Sequence, residues 1–224
     1  MGTADKQVVA VQSLRDVSAI VLAAGRSRRM GAFKPLLPFG NQTVIESCVS
    51  NLRSAGIEEI IVVVGHRDND VRQQLNSIPV TFVLNPDPDT EMSVSIQLGL
   101  AAVSPDARAI LITPVDHPAV PGSIIRSLVE NRRAGAKLVQ PEFQGKGGHP
   151  VLVDLAFRDE LMTMGEKAGL RGFFADHRQE VLRLPVDSPF VAQDMDTWDD
   201  YIRLHETAFG RKPAQFAAPN QANG

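Results

Sequence analysis

Between Val17 and Gln140 one pattern repeats: a short aliphatic run, a turn of small or charged residues, then a segment with helical spacing. Val17 to Leu22, Glu59 to Val64, Val80 to Leu84, Ala109 to Thr113 and Lys137 to Gln140 read as strands, the first two of them as buried ones. Thr43 to Ser54, Asp68 to Asn76, Ser93 to Val103 and the segment from Pro121 to Arg133 read as the intervening helices. In the first of these, Val44, Ile45, Cys48, Val49 and Leu52 recur at helical spacing and Ala55-Gly56 supplies a C-cap. Pro121 is expected in the first turn of its helix, where its missing N–H costs nothing. Strict strand–helix alternation predicts an α/β fold, an open and mostly parallel sheet with helices on both faces.

Past Gln140 the rhythm changes. Gly145, Gly147 and Gly148 approach His149-Pro150, and a short strand is expected at Val151 to Val153. A helix follows at Leu170 to Asp176, a strand at Val181 to Leu184 and a last helix at Trp198 to Ala208. Residues 1–16 read as a flexible leader, 17–208 as a single domain, and 209–224, rich in Ala, Pro, Asn and Gln, as a disordered tail. The 43% hydrophobic content over 224 residues supports a sizeable core. A net charge of −3 gives no general attraction to nucleic acid or to an anionic membrane, so any anion site must be local. The single cysteine, Cys48, excludes an internal disulfide and reads as a small buried hydrophobe rather than a reactive thiol. Neither a membrane-length apolar run nor a signal peptide is present, which makes the cytoplasm the expected location.

Chemistry is expected at the carboxyl ends of the strands, where open α/β sheets bind ligands. The first strand stops in Ala23-Ala24-Gly25, residues small enough for a ligand to lie on the backbone, and Arg26, Arg28, Arg29 and Lys34 follow within nine residues. Glycine-turn N–H groups with guanidinium and ammonium donors suit a polyphosphate, although a solvated basic turn would look alike. The spacing is neither a Walker A loop nor the G-x-G-x-x-G fingerprint. Asp116, held between Pro114 and Pro118 after the fourth strand, suits a divalent-metal ligand, or is simply a turn aspartate. Asp194 and Asp196 precede the last helix, where Asp196 or Thr197 could equally be the N-cap, with Asp199 and Asp200 as first-turn acids. Together these residues suit nucleotidyl transfer. Asp116 and Asp196 would hold magnesium across the phosphates, and Arg28 and Lys34 would take up charge as pyrophosphate leaves.

The ordered motifs LAAGRSRRMG-x-x-K, PVDHP, GGHPV and DMDTWDDY resemble those of the MobA-like nucleotidyltransferases, among which are the molybdenum cofactor cytidylyltransferases. The likeness spans about Val17 to Leu204. It implies a Rossmann-like NTP-transferase fold and metal-dependent transfer of a nucleoside monophosphate, using Mg2+ or Mn2+. By motif, Leu22, Ala23, Ala24 and Gly25 would line the base and ribose, and Arg28 and Lys34 would contact the triphosphate. Asp116 would hold the metal with Asp196 as its second ligand. Gly65, after the second strand, could approach the base together with His66, or the pair could be an ordinary strand-end turn. Asn85 resembles a strand-end residue near the nucleotide, and Ser95 could touch the nucleotide or be a helix-start serine. His149 matches GHP and would lie near the acceptor, or serve the turn.

Two departures stand out: Glu91 where relatives often carry Gly, and Gly165 to Arg171, which matches the family's G-D-x-G-x-R only loosely. LAAG rather than LAGG points to the cytidylyl branch. The expected activity is therefore transfer of CMP from CTP, or of NMP from another NTP, to a molybdopterin-type acceptor. A molybdoenzyme or insertion chaperone would receive the product. The rivals are another phosphorylated acceptor, such as a sugar phosphate, and a nucleotide-binding carrier without turnover.

Overall fold

The computed structural model describes residues 14 to 213 apart from 28, 88 and 166 to 168. The chain begins with β1 (Val17–Ala23), the hairpin strands β2 (Pro38–Phe39) and β3 (Gln42–Thr43), α1 (Val44–Ser54) and β4 (Glu59–Val64). It continues through α2 (Asp68–Gln74), β5 (Thr81–Leu84), α3 (Met92–Ala101), β6 (Ala109–Pro114), α4 (Gly122–Arg133) and β7 (Leu138–Phe143). The last third holds β8 (Lys146–Gly147), β9 (Val151–Asp154), α5 (Arg158–Thr163), α6 (Gly169–Asp176), β10 (Val181–Pro185) and α7 (Trp198–Phe209).

The main sheet runs β10-β7-β9-β6-β1-β4-β5, with β8 paired to β7. β1 lies inside it, parallel to β4 on one side and β6 on the other, and every residue of β1 is buried. This accounts for the uniformly apolar runs, because a parallel strand covered on both faces has no side that favours polar residues. Side chains still divide by alternation. Ala19, Val21 and Ala23 face a layer carrying Ile45, Val49, Ile125, Leu128, Tyr201 and Leu204; Ile20 and Leu22 face one carrying Ile96, Leu100, Leu161 and Phe173. α1, α2, α4 and α7 thus cover one face and α3, α5 and α6 the other.

Local signals place the helix ends. Thr43 and Glu46 form a reciprocal capping box at α1, Ala55 is its C-cap, and Gly56 adopts φ +97°. Thr197, not Asp196, caps α7, with Asp200 closing the box. Pro121 stands one position earlier than expected, as the N-cap of α4. It supplies no side-chain cap, so only its fixed φ is used.

The sequence reading missed the β2–β3 hairpin and α5, both too short to show a period. β7 runs on past Gln140 to Phe143, and the chain then reverses. β9 is inserted antiparallel to both β6 and β7, which makes the sheet mixed. Of the expected leader, residues 1 to 13 lie outside the described residues, whereas 14 to 16 are attached. Leu14 is buried and its N–H donates to Gly56 O, while Asp16 pairs with Arg132 and Arg133. The expected tail is described only to residue 213; α7 ends at Phe209 and is followed by Gly210 in the left-handed region.

Candidate active site

From β1 the chain moves outward through β4 to β5, then crosses back over β1 to β6. β1 and β6 are thus the neighbours at which the strand order reverses, and doubly wound sheets bind ligands beyond the carboxyl ends of such a pair. A cavity of about 210 Å³ lies there, lined by Leu22, Ala24, Gly25, Ser27, Lys34, Asn85, Thr90, Met92, Ser95, Pro114, Val115 and Asp116.

The loop after β1 is built around Ser27, which takes φ +51°. Ser27 O accepts from the N–H groups of Met30 and Gly31, at 3.1 and 3.2 Å, and Ser27 Oγ accepts from Lys34 N at 3.4 Å. Gly31, at φ +64°, completes the turn at little conformational cost. Met30, 3% exposed, pins the loop to the core below. Phe33 meets the His66 ring edge-on at 5.3 Å and carries the Arg67 guanidinium 4.7 Å above its face. Lys34 then begins a short 3-10 turn, Lys34–Leu36, and is itself buried.

A lysine is rarely buried unless its charge is matched. Lys34 Nζ donates to Asp196 Oδ1 at 2.8 Å and lies 3.9 Å from Asp116 Oδ2. Arg29 Nη1 donates to the other oxygen of Asp196, also at 2.8 Å. The hydrogen bond from Lys34, then the charges of Lys34 and Arg29, hold the Asp196 carboxyl below the usual range against a burial effect that would raise it. Because Thr197 caps α7, Asp196 is free to make these contacts. Asp194 behaves oppositely: burial, then the charges of Asp116 and Asp196, push its pKa up.

Asp116 Oδ1 is buried without a hydrogen-bond partner among the described residues, with His117 Nε2 3.7 Å away. A buried carboxylate oxygen without a donor is costly, and a cation would satisfy it. Among the described residues no group of three or more His, Cys, Asp or Glu is arranged to hold a metal. Two carboxylates gathered on one lysine are nevertheless a donor set that fits magnesium or manganese. Such ions keep water and substrate phosphate oxygens and need only one or two protein carboxylates.

Of the residues singled out from sequence, Leu22, Ala24, Gly25, Lys34, Asn85, Ser95 and Asp116 line this one cavity. Asn85 N–H extends the sheet to Val64 O at 2.8 Å, while its Nδ2 donates to Ser95 Oγ at 3.0 Å and Thr90 Oγ1 at 2.9 Å. Ala23 belongs instead to the core under α1, because alternation turns it away from the crevice. Gly65 does not line the cavity either. A Cβ there would sit 2.5 Å from Ala24 O, so its smallness lets the loops after β1 and β4 touch. Arg28 and its expected triphosphate contact lie outside the described residues. Among the described residues Arg29 is the arginine brought to Asp196, beside Lys34's own bond to that carboxylate; in the sequence it stands only as one of four cations. Thr90 carried no sequence signal.

His149 lies toward β9, its ring 5.1 Å from that of His117 and its N–H donating to Val191 O at 2.8 Å. Its Nδ1 is buried without a partner among the described residues. Burial, then the neighbouring His117, lowers its pKa to about 3, so the ring is neutral at ordinary pH. The Cys48 thiol is pushed up by burial, in keeping with an inert core residue.

A mostly parallel sheet whose switch point carries a basic loop and converging carboxylates defines a nucleotidyltransferase of Rossmann-like fold. The MobA-like NTP transferase domain model matches residues 19–181, and the chain belongs to that family. It is 29% identical over 196 residues to the molybdenum cofactor cytidylyltransferase of Escherichia coli K12, covering 85% of this chain and 96% of that one. It is 27% identical to the nicotine blue oxidoreductase of Paenarthrobacter nicotinovorans, over 84% and 96% of the two chains. The crystal structure of Rv0371c from Mycobacterium tuberculosis H37Rv superposes with a TM-score of 0.77 at 29% identity, over 86% of this chain and 98% of that one. Rv0371c has also been solved in complex with manganese (TM-score 0.72, 29% identity, 86% and 99% covered).

Proposed function

We propose that this chain, acting as a single domain over residues 17–208, moves CMP from CTP to the phosphate of a molybdopterin-type acceptor and releases pyrophosphate. The observation that supports the donor half is the convergence of Asp116 and Asp196 on Lys34, which with Asp116 lines the same cavity as Leu22, Ala24 and Gly25. The cytidylyl branch is favoured by LAAG and by the 29% identity to the E. coli cytidylyltransferase.

In the reaction an acceptor phosphate oxygen forms a bond to the α-phosphorus of CTP. The bond from that phosphorus to the bridging oxygen of the β-phosphate breaks, and its electron pair leaves with pyrophosphate. Lys34 exchanges part of its contact with Asp196 for the triphosphate and stabilises the charge that grows on the leaving group. Arg28, by motif, and Arg29, by its place beside Asp196, add to that field. Asp116 and Asp196 would hold Mg2+, or Mn2+ in its place, and the ion neutralises phosphate charge when bound. Neutral His149 offers the acceptor a hydrogen bond and no positive charge, so the acceptor's own phosphate depends on the loop cations. A molybdoenzyme or its insertion chaperone would take the product, in the cytoplasm; among the described residues no helix is long and apolar enough to cross a membrane.

Pyrophosphate release from CTP, GTP and ATP, with Mg2+ and with or without molybdopterin-type acceptor, tests this reading. Acceptor-dependent release from CTP alone is expected. Preference for another NTP overturns the base assignment. Release that needs a sugar phosphate overturns the acceptor. Nucleotide binding without release under any condition makes the protein a carrier.

A further inference from the structure

Asp116 sits in a five-residue turn, Pro114 to Pro118, whose path is set from outside by one helix. Ser47 Oγ and Asn51 Nδ2, one helical turn apart on α1, both donate to Pro118 O at 2.8 Å. Between them in sequence, Cys48 Sγ lies 3.5 Å from Val115 O. The carbonyls on either side of Asp116 are therefore both pinned to the same face of α1. Within the turn, Val115 N–H continues the sheet to Leu22 O at 3.1 Å and His117 N–H reaches Pro114 O at a long 3.4 Å. A small cavity of about 10 Å³, no more than a single water needs, lies between Cys48, Asn51, Thr113, His117 and Pro150 and leaves the turn little room on that side. The hydrogen bonds from Ser47 and Asn51 stop it lifting away.

α1 is a firm support. Its first turn is closed by the capping box, and Val44, Ile45, Val49 and Leu52 are buried. Its far end abuts α4 so closely that a Cβ on Gly122 would lie 3.0 Å from Asn51 O. Two prolines and the β6 ladder also confine the turn. Two donors on one carbonyl add an orientation. We infer that Ser47 and Asn51 are positioning residues that aim the Asp116 carboxylate at the metal and triphosphate. The inference deepens the nucleotidyl-transfer reading and rests on it.

The test compares Asn51→Leu and Ser47→Ala with Arg126→Ala, which removes a different tie between α4 and α1, from Arg126 Nη2 to Ser54 O at 3.2 Å. Three quantities are read on the intact chain: amide hydrogen exchange at Val115, Asp116 and His117, Mn2+ affinity in the presence of CTP, and kcat against KM for CTP. For Asn51→Leu the expectation is faster exchange across the turn, Mn2+ affinity weakened about 10-fold, as for other partners that orient a metal ligand, and a loss in kcat larger than any change in KM. Ser47→Ala should move the same quantities less, and Arg126→Ala should leave exchange in the turn and Mn2+ affinity unchanged. Unchanged exchange and Mn2+ affinity in Asn51→Leu overturn the inference, as does an equal effect from Arg126→Ala. Asp116→Asn separates the two levels. If it binds Mn2+ and CTP as the parent does, the metal reading of Asp116 falls, and the positioning role falls with it even where exchange in the turn rises.

Discussion

At the scale of single residues, Asp116 and Lys34 are both held in ways that a purely structural role would not need. Asp116 carries a buried oxygen with no donor among the described residues. Replacing it by Asn should cost turnover at least about 100-fold, the range seen when one transition-state contact is removed. The Tm should change little, because Lys34 keeps its shorter hydrogen bond to Asp196 and the buried, unpartnered oxygen loses its charge. Pyrophosphate assay and thermal unfolding on the same preparation check this, and near-normal turnover would refute the metal assignment. Lys34→Ala should lower kcat/KM for the NTP. It should also lower stability by about 1–2 kcal/mol, since a buried charged hydrogen bond to Asp196 is lost. An unchanged kcat/KM would remove Lys34 from the triphosphate site. Both residues were legible in the sequence as members of short motifs. Arg29 carries no role of its own in the sequence, because the cations of one loop look alike until the fold brings Arg29 to Asp196.

At the scale of elements, the site depends on how closely two strand-end loops approach. Gly65→Ala places a methyl group 2.5 Å from Ala24 O and must push the loop after β1 outward. The expected result is a raised KM for the NTP, with kcat less affected, in steady-state kinetics. At the other end of the site, Thr197→Ala should destabilise the protein by about 1 kcal/mol in urea unfolding, the usual cost of losing an N-cap. Strands β1, β4 and β6 and helices α1 and α4 could be read from sequence because burial on both faces, or a clear apolar stripe, leaves a periodic trace. The β2–β3 hairpin, α5 and the antiparallel setting of β9 could not. Two-residue strands have no period, and strand direction is decided by which partner a strand meets rather than by its own residues.

At the scale of the whole molecule, acid stability draws on several of these groups. Burial, then His117, lowers the His149 pKa to about 3, whereas in the unfolded chain the ring titrates near 6.5. Between those values the unfolded chain binds more protons. The stability this residue contributes is therefore complete above about pH 6.5 and is lost as pH falls toward 3. His177, raised by its hydrogen bond to Glu180 and then by Glu160, acts in the opposite sense: its contribution is present at low pH and fades as pH rises through its folded value. Thermal unfolding from pH 7.5 to 4 should show His149→Gln losing less Tm on acidification than the parent, and His177→Gln losing more. The same slope in parent and His149→Gln would contradict the buried neutral ring.

The sequence by itself determined the fold class, the order of the central elements and the motifs around Lys34, Asp116 and Asp196, because each of these is written in local periodicity or short spacing. Only the tertiary structure decided that Asp196 leaves the capping of α7 to Thr197 and turns to Lys34, that Ala23 faces the core, and that α1 holds the Asp116 turn. Those outcomes depend on contacts between segments far apart in the chain, where the competition among partners is settled by packing geometry and not by any residue's own preference.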